Sequence, residues 1–160
     1  IGMLEKADPH FKYYFCLHAN ETLNRLEQTP KLVIAALNGH AVGGGLEVAM
    51  AADLRLAKQG GGKMGLPEVN LGVLPGTGGT QRLARIVGKA RAIELMAEGG
   101  SFDFERGVEL GLIQQVLPAD GFFDAVMDYA RKFVPPAKAS RAVGMIKRAV
   151  QSGVESSFGE

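Results

Sequence analysis

The sequence predicts an α/β protein, and two observations carry this prediction. Short apolar segments of strand-forming residues alternate with longer segments of helical periodicity, and glycine clusters separate several of them. Such alternation is typical of folds in which helices cover a sheet. The chain has 160 residues, 22 of them glycine, and this length is sufficient for one domain with a buried core.

The first predicted element is a helix over residues 10–28. Asp8 and Pro9 form a good helix start, because an Asp side chain caps free N–H groups and Pro fits the first turn. Pro30 ends the helix, since the residue before a proline avoids helical geometry. An apolar run then predicts a buried strand over residues 32–37.

The alternation continues to the end of the chain. After a glycine triplet, good helix formers predict a helix over residues 46–52, and a strand follows over 53–57. Residues 58–63 form a glycine-rich loop. Further helices are predicted over 80–87, 89–97, 102–110, 122–134 and 137–151, and a further strand over 112–117. Pro135-Pro136 separates the last two helices.

The composition of the chain argues against several classes of protein function. Lys and Arg total 18 and Asp and Glu total 17, so the net charge is +1, which argues against a nucleic-acid partner. No apolar run reaches the ~20 residues that cross a bilayer, so we expect no membrane partner. Cys16 is the single cysteine; it excludes an intrachain disulfide and fits a reducing compartment.

Several familiar motifs are absent or incomplete. Residues 60–65 match G-x-G-x-x-G, but Leu66-Pro67 follows where a dinucleotide site needs a helix, so we interpret the segment as a loop. There is no P-loop string and no G-x-S-x-G string. The three histidines, at positions 10, 18 and 40, lack the spacing of a metal site, and we predict none.

Two glutamates stand in chemically suggestive segments. Glu47 lies in the first turn of a helix that follows Gly43-Gly44-Gly45, where free N–H groups and the helix dipole could stabilise an oxyanion. Glu68 stands alone among apolar and turn residues, where burial would raise its pKa and suit it to acid catalysis. A helix-dipole partner and a surface glutamate are the alternatives, and spacing alone leaves both open.

These segments resemble the enoyl-CoA hydratase/isomerase (crotonase) family. The strings are N-G-x-A-x-G-G-G-x-E at 38–47, D-L-R-L-A at 53–57, and G-L-P-E-x-x-L-G-x-x-P-G-x-G-G-T-Q-R-L at 65–83. The resemblance is close over residues 31–118. It implies a spiral of ββα units, with residues 1–134 as the C-terminal part of the core. Residues 135–160 would begin a helical region that packs subunits into trimers or hexamers.

The resemblance also implies roles for individual residues. Glu47 and Glu68 match the two catalytic carboxylates, and Gly44 matches the residue whose N–H binds the thioester oxygen. The implied substrate-binding residues are Gly43, Leu66, Leu71, Gly72 and Leu74.

The implied reaction is hydration of a trans-2-enoyl-CoA, as in fatty-acid β-oxidation, without a cofactor because CoA is part of the substrate. Glu47 would hold and activate the water, and Glu68 would exchange the proton at the α-carbon. Both glutamates together favour a hydratase, since isomerases of the family commonly keep only the second. Isomerisation, dehydration of another acyl group and non-catalytic acyl-CoA binding are the alternatives.

The two ends of the chain resemble interior parts of a family member. Residues 1–4 look like the stretch just after the family's first oxyanion donor, and residues 156–160 look like the entry to its C-terminal helices. We therefore expect an internal fragment of a longer subunit, which would lack that donor. The family implies a bacterial cytoplasm or a mitochondrial matrix as the compartment.

Overall fold

The computed structural model describes residues 6–155, which form two small sheets with helices around them. The expectations for residues 1–4 and 156–160 lie outside this range. The strands are β1 (Ile34–Leu37), β2 (Ala41–Val42), β3 (Leu54–Lys58), β4 (Lys63–Gly65), β5 (Ser101–Asp103) and β6 (Gln115–Leu117). The helices are α1 (Pro9–Glu27), α2 (Gly44–Met50), α3 (Gly79–Val87), α4 (Lys89–Glu98), α5 (Phe104–Glu109), α6 (Phe122–Arg131) and α7 (Ser140–Glu155), with a 3-10 turn over Glu68–Leu71.

Two successive ββ units each contribute one strand to both sheets. The first sheet has the order β1-β3-β6 with parallel pairing, and Ile34 lies opposite Leu54. The second sheet has the order β2-β4-β5, in which β2 and β4 are parallel and β5 is antiparallel to β4. The chain therefore winds from one sheet to the other and back, and the predicted α/β class with ββα units is confirmed.

One apolar cluster, here called the core cluster, fills the space between the sheets and helices. Its largest members are fully buried: Leu46, Met64, Leu83, Phe104 and Ile113. Burial of each such side chain stabilises the fold by about 1.5–3 kcal/mol. A smaller cluster lies where α6 packs on the first sheet. Because Leu46, Ala49 and Met50 belong to the core cluster, this cluster holds α2 in place.

The boundaries of the helices follow local chemistry. Asp8 caps α1 as predicted, since its side chain accepts a hydrogen bond of 2.9 Å from Phe11 N. At the C-terminal end of α2, the buried Arg55 donates to Ala52 O at 2.7 Å and to Ala49 O at 3.4 Å. Burial lowers the pKa of Arg55, and the nearby charge of Asp53 opposes this shift. These bonds satisfy carbonyls that the helix leaves open.

The predicted helix over residues 102–110 is wrong in its first part. The structure places Ser101–Asp103 in β5, which pairs with β4, and the helix begins only at Phe104. Asp103 caps it by accepting from Arg106 N at 2.8 Å. Strand pairing thus overrides the local helical preference.

Other helix and strand boundaries in the structure also differ from the predicted ones. The strands β2 and β4 were not predicted, and β4 begins at the end of the predicted glycine-rich loop, so residues 60–65 are loop and strand. The predicted strand over 112–117 is formed only from Gln115 onward. The predicted helix over 122–134 ends at Arg131, the last helix begins at Ser140, and a cis Pro135–Pro136 bond lies between them.

Helix α7 is tied to the rest of the described chain by polar contacts. Lys147 Nζ lies 2.8 Å from Asp53 Oδ2 and donates to Lys31 O at 3.1 Å. Gln151 Nε2 donates to Glu27 O at 2.8 Å. The division of the chain at residue 134 stays a prediction. Over residues 6–155, every helix is too short or too polar to cross a bilayer.

Candidate active site

Glu47 is presented by a tight connection between β2 and α2. Gly43 has φ of 58° and ψ of −128°, and its N–H donates to Gly65 O at 2.8 Å. Its carbonyl accepts from Leu46 N at 2.9 Å and from Glu47 N at 3.1 Å, which starts the helix. Glu47 therefore lies in the first turn of α2, where it is only 2% exposed.

The Glu47 carboxylate is held by the loop before α3. Thr77 N and Gly79 N each donate to Oε1 at 2.8 Å, and the Thr77 hydroxyl donates to Oε2. A carboxylate offers about four acceptor positions, and these three bonds leave one of them, on Oε2. The side chain is thus fixed in orientation, and one acceptor position on Oε2 has no bond within the part of the chain that the structure describes.

Glu68 has a different environment. It begins the 3-10 turn after Pro67, and its Oε2 is buried without a hydrogen-bond partner among the described residues. Burial raises the pKa of Glu68, a hydrogen bond to its own backbone opposes the shift, and the charge of Glu47 raises it further. A carboxyl of this kind holds a proton more readily than an exposed one.

Gly43 links the positions of the two glutamates. A Cβ atom on Gly43 would lie 3.0 Å from Glu68 Oε1, and Glu47 follows four residues later on the helix that Gly43 begins. The electrostatic effect of Glu47 on Glu68 agrees with this proximity. Two segments more than twenty residues apart thus place their carboxyl groups near enough for the charge of Glu47 to act on Glu68.

Gly44 and Gly45 form an open approach to the start of α2. Both are exposed, and a Cβ added to either would meet no described atom within 4 Å apart from the adjoining backbone of its own helix turn. Their N–H groups belong to the first turn, where a helix offers no internal acceptor.

The remaining predicted site residues divide into two groups. Leu66 is 3% exposed and belongs to the core cluster, whereas Leu71 and Leu74 are 70% and 68% exposed. Gly72 ends the 3-10 turn with φ of 70° and has open space around it. The structure therefore does not bring the three leucines to one surface, and their contact with a substrate stays a prediction.

Sequence reasoning did not find the residues that hold Glu47. Thr77 and Gly79 belong to the quoted string at 65–83, but a glycine-rich string indicates only a turn. Over residues 6–155, no group of three or more His, Cys, Asp or Glu could hold a metal ion. A cavity of about 330 Å³ borders α2 at Gly45 and Val48 and runs along β1, and neither glutamate lines it.

The comparison with known proteins decides the family. A family model described as enoyl-CoA hydratase/isomerase matches residues 2–159. The chain belongs to the enoyl-CoA hydratase/isomerase family. The resemblance inferred from the strings at 38–47 and 65–83 is thereby confirmed.

Relatives and solved structures of the family support this assignment. A short-chain-enoyl-CoA hydratase of Clostridium acetobutylicum is 38% identical over 141 residues, 88% of this chain and 53% of that protein. A mitochondrial methylglutaconyl-CoA hydratase of Rattus norvegicus is 39% identical over 137 residues, 83% of this chain and 42% of that protein. A crystal structure of an enoyl-CoA hydratase from Geobacillus kaustophilus superposes with a TM-score of 0.91 at 46% identity. The superposition covers 97% of this chain and 58% of that structure. This chain thus has the crotonase fold and spans about half the length of the curated relatives it matches.

Proposed function

We propose that the protein containing this chain hydrates trans-2-enoyl-CoA thioesters to 3-hydroxyacyl-CoA. The observation that carries the proposal is the proximity of two carboxyl groups in unlike environments, shown by the effect of the Glu47 charge on the pKa of Glu68. Glu47 is fixed by three donors with one acceptor position left, whereas Glu68 has a raised pKa and a buried oxygen with no partner within residues 6–155. Paired carboxyl groups with unlike environments suit separate acid and base roles.

The proposed mechanism assigns one step to each glutamate. A water bound at Glu47 Oε2 loses a proton to Glu47 as its oxygen bonds to the β-carbon. The π electrons move toward the thioester, and Glu68 supplies a proton to the α-carbon. Return of the proton from Glu47 to Glu68 restores both groups. This is general acid–base catalysis, which contributes roughly 10²–10⁴-fold per group.

The thioester oxygen carries negative charge while water adds. The Gly44 N–H, at the start of α2, would donate to that oxygen from the open side of the helix. A donor of this kind contributes on the order of 3 kcal/mol to catalysis. Gly43 and Gly72 would line the approach to the two carboxyl groups, and the exposed Leu71 and Leu74 would contact the acyl chain.

We also propose the cofactor requirement, the oligomeric state and the compartment of the full-length protein. CoA enters as part of the substrate, so we expect no cofactor. The family suggests a homotrimer or hexamer of the full-length protein, in a bacterial cytoplasm or a mitochondrial matrix.

One observation favours a second candidate, double-bond isomerisation of an enoyl-CoA. Three of the acceptor positions of Glu47 are occupied by the loop before α3, whereas Glu68 Oε2 has no partner among the described residues. An isomerase would need only Glu68 to move a proton between two carbons. In that case Glu47 would serve the architecture of the loop alone.

The deciding experiment measures hydration of crotonyl-CoA by the full-length gene product, followed by the loss of enoyl thioester absorbance. We expect rapid turnover, with Glu68→Gln and Glu47→Gln each losing at least ~10²-fold in kcat. Glu47→Gln keeps an acceptor for Thr77 N and Gly79 N, so it is preferable to Glu47→Ala, which would cost about 1–3 kcal/mol of stability.

A matched control is Glu94→Gln, because Glu94 is exposed on α4. It should hydrate crotonyl-CoA at the rate of the unmodified protein. Isomerisation that survives Glu47→Gln would favour the second candidate. A folded protein that turns over no acyl-CoA would contradict both and indicate a binding role.

A further inference from the structure

Arg82 is a buried cation that the proposed mechanism does not use. It lies on α3 and is 5% exposed. Its Nη2 donates to Asn24 Oδ1 at 2.8 Å and to Glu27 Oε2 at 2.9 Å, and its Nε donates to Glu27 Oε2 at 3.2 Å. Both partners lie on α1, so the guanidinium joins α3 to α1. A planar guanidinium held at several points is rigid, because its donors keep a fixed geometry.

The remaining nitrogen of the guanidinium reaches the loop that holds Glu47. Nη1 donates to Thr77 O at 3.3 Å. Thr77 is the residue whose N–H and hydroxyl both donate to the Glu47 carboxylate. Thr77 thus links the guanidinium to two of the three hydrogen bonds that orient Glu47.

Helix α1 holds the same loop at a second point. Asn20 Nδ2 donates to Gly76 O at 2.9 Å and to Cys16 O at 2.9 Å. The carbonyls of residues 76 and 77 are therefore both tied to α1, one directly and one through Arg82.

Gly78 adapts the loop to the guanidinium. Its φ is 95°, a region that residues with side chains rarely adopt, and a Cβ atom at this position would collide with Arg82 Nη1. The loop therefore requires glycine there both for its backbone conformation and for the close approach of Arg82.

We propose that Arg82 is a positioning residue: by tying the loop over residues 76–79 to α1, it fixes the donors that orient the Glu47 carboxylate. The inference rests on the proposed function for its catalytic consequence. Loss of Arg82 should free Thr77 and Gly79 to move, so that Glu47 holds the water in several orientations. Small displacements of a catalytic group cost up to ~10²-fold in rate.

The test compares Arg82→Met with Lys147→Met in the full-length protein. Lys147, on α7, is also a buried cation paired with a carboxylate, but its Nζ bonds to Asp53 Oδ2 and Lys31 O, which lie far along the chain from the loop over residues 76–79. Both variants should lower Tm, since each removes a buried cation from a partly buried carboxylate, Glu27 or Asp53. Two readouts separate positioning from stability: the kinetic constants for crotonyl-CoA and the hydrogen exchange of the Thr77 and Gly79 amides.

We expect Arg82→Met to lose ~10–100-fold in kcat, with KM changed by less than about threefold. We expect its Thr77 and Gly79 amides to exchange at least ~10-fold faster. Lys147→Met should keep both kcat and the exchange rates. Glu27→Gln, which keeps Arg82 but removes its charged partner, provides a milder variant with intermediate effects if Arg82→Met does not fold.

Equal kcat losses in Arg82→Met and Lys147→Met, or unchanged exchange at Thr77 and Gly79, would overturn the inference. The exchange measurement does not depend on turnover. If the unmodified protein fails to hydrate crotonyl-CoA, the proposed function fails, and the amide exchange still decides whether Arg82 holds the loop.

Discussion

Glu68 Oε1 lies 3.0 Å from the point that a Cβ atom of Gly43 would occupy. The same glycine has φ of 58°, so residue 43 must lack a side chain for two separate reasons. Its carbonyl starts the helix that carries Glu47. Gly43 is therefore the residue at which the backbone conformation, the position of Glu68 and the position of Glu47 are linked.

Gly43→Ala should reduce both stability and turnover. The unfavourable φ should lower the free energy of unfolding by about 1–3 kcal/mol, and the new methyl group should push the Glu68 carboxylate away from its position. Gly121→Ala is a matched control, because Gly121 has φ of 63° with open space around it. Urea denaturation and crotonyl-CoA kinetics measure the two effects. Similar kcat values in the two variants would show that the contact with Glu68 is unimportant for turnover.

Glu68→Gln should change the pH dependence of stability. Burial raises the pKa of Glu68, so the folded protein binds this proton more readily than the unfolded chain does. Between the ordinary pKa of a glutamate, about 4.3, and the higher pKa in the fold, stability must therefore fall as pH rises. Below this window the stabilising contribution is fully present, and above it the contribution is lost.

Thermal unfolding over this pH range measures the effect. The difference in Tm between the unmodified protein and Glu68→Gln should move in favour of the variant as pH rises, because glutamine stays neutral. Glu94→Gln, at an exposed position of α4, should keep the pH dependence of the unmodified protein. A Tm difference that does not vary with pH would contradict the prediction.

The sequence was sufficient for the elements that are long and locally encoded. Helix α1 could be predicted because Asp8 and Pro9 specify its start within a few residues, and Pro30 follows shortly after its end. Strands β2 and β4 have only two and three residues, too few to show a period. They exist because Ala41 and Met64 pair across the second sheet, a long-range relationship that local patterns do not contain.

The candidate site, too, could be predicted only in part from the sequence. The resemblance indicated Glu47 and Glu68, but their spacing in the sequence could not show that the two carboxyl groups lie near each other. The role of Thr77 can be recognised only from its bonds to Glu47, because it depends on tertiary contacts that the sequence does not show. The predicted set of leucines also mixed two environments, because apolar side chains of the core and of the exposed surface look alike in a sequence.

Leu66→Ala should therefore affect mainly stability and Leu74→Ala mainly substrate binding, although the two substitutions remove the same atoms. Leu66 is buried in the core cluster, and its truncation should cost about 2–5 kcal/mol of stability through lost burial and a cavity. Leu74 is largely exposed, so its truncation should change stability by less than about 0.5 kcal/mol.

If Leu74 contacts the acyl chain as proposed, its loss should raise KM for crotonyl-CoA by roughly fivefold, the equivalent of about 1 kcal/mol of apolar contact. Urea denaturation and steady-state kinetics on both variants check this pair. A large loss of stability in Leu74→Ala, or a KM that stays unchanged, would remove Leu74 from the proposed substrate surface.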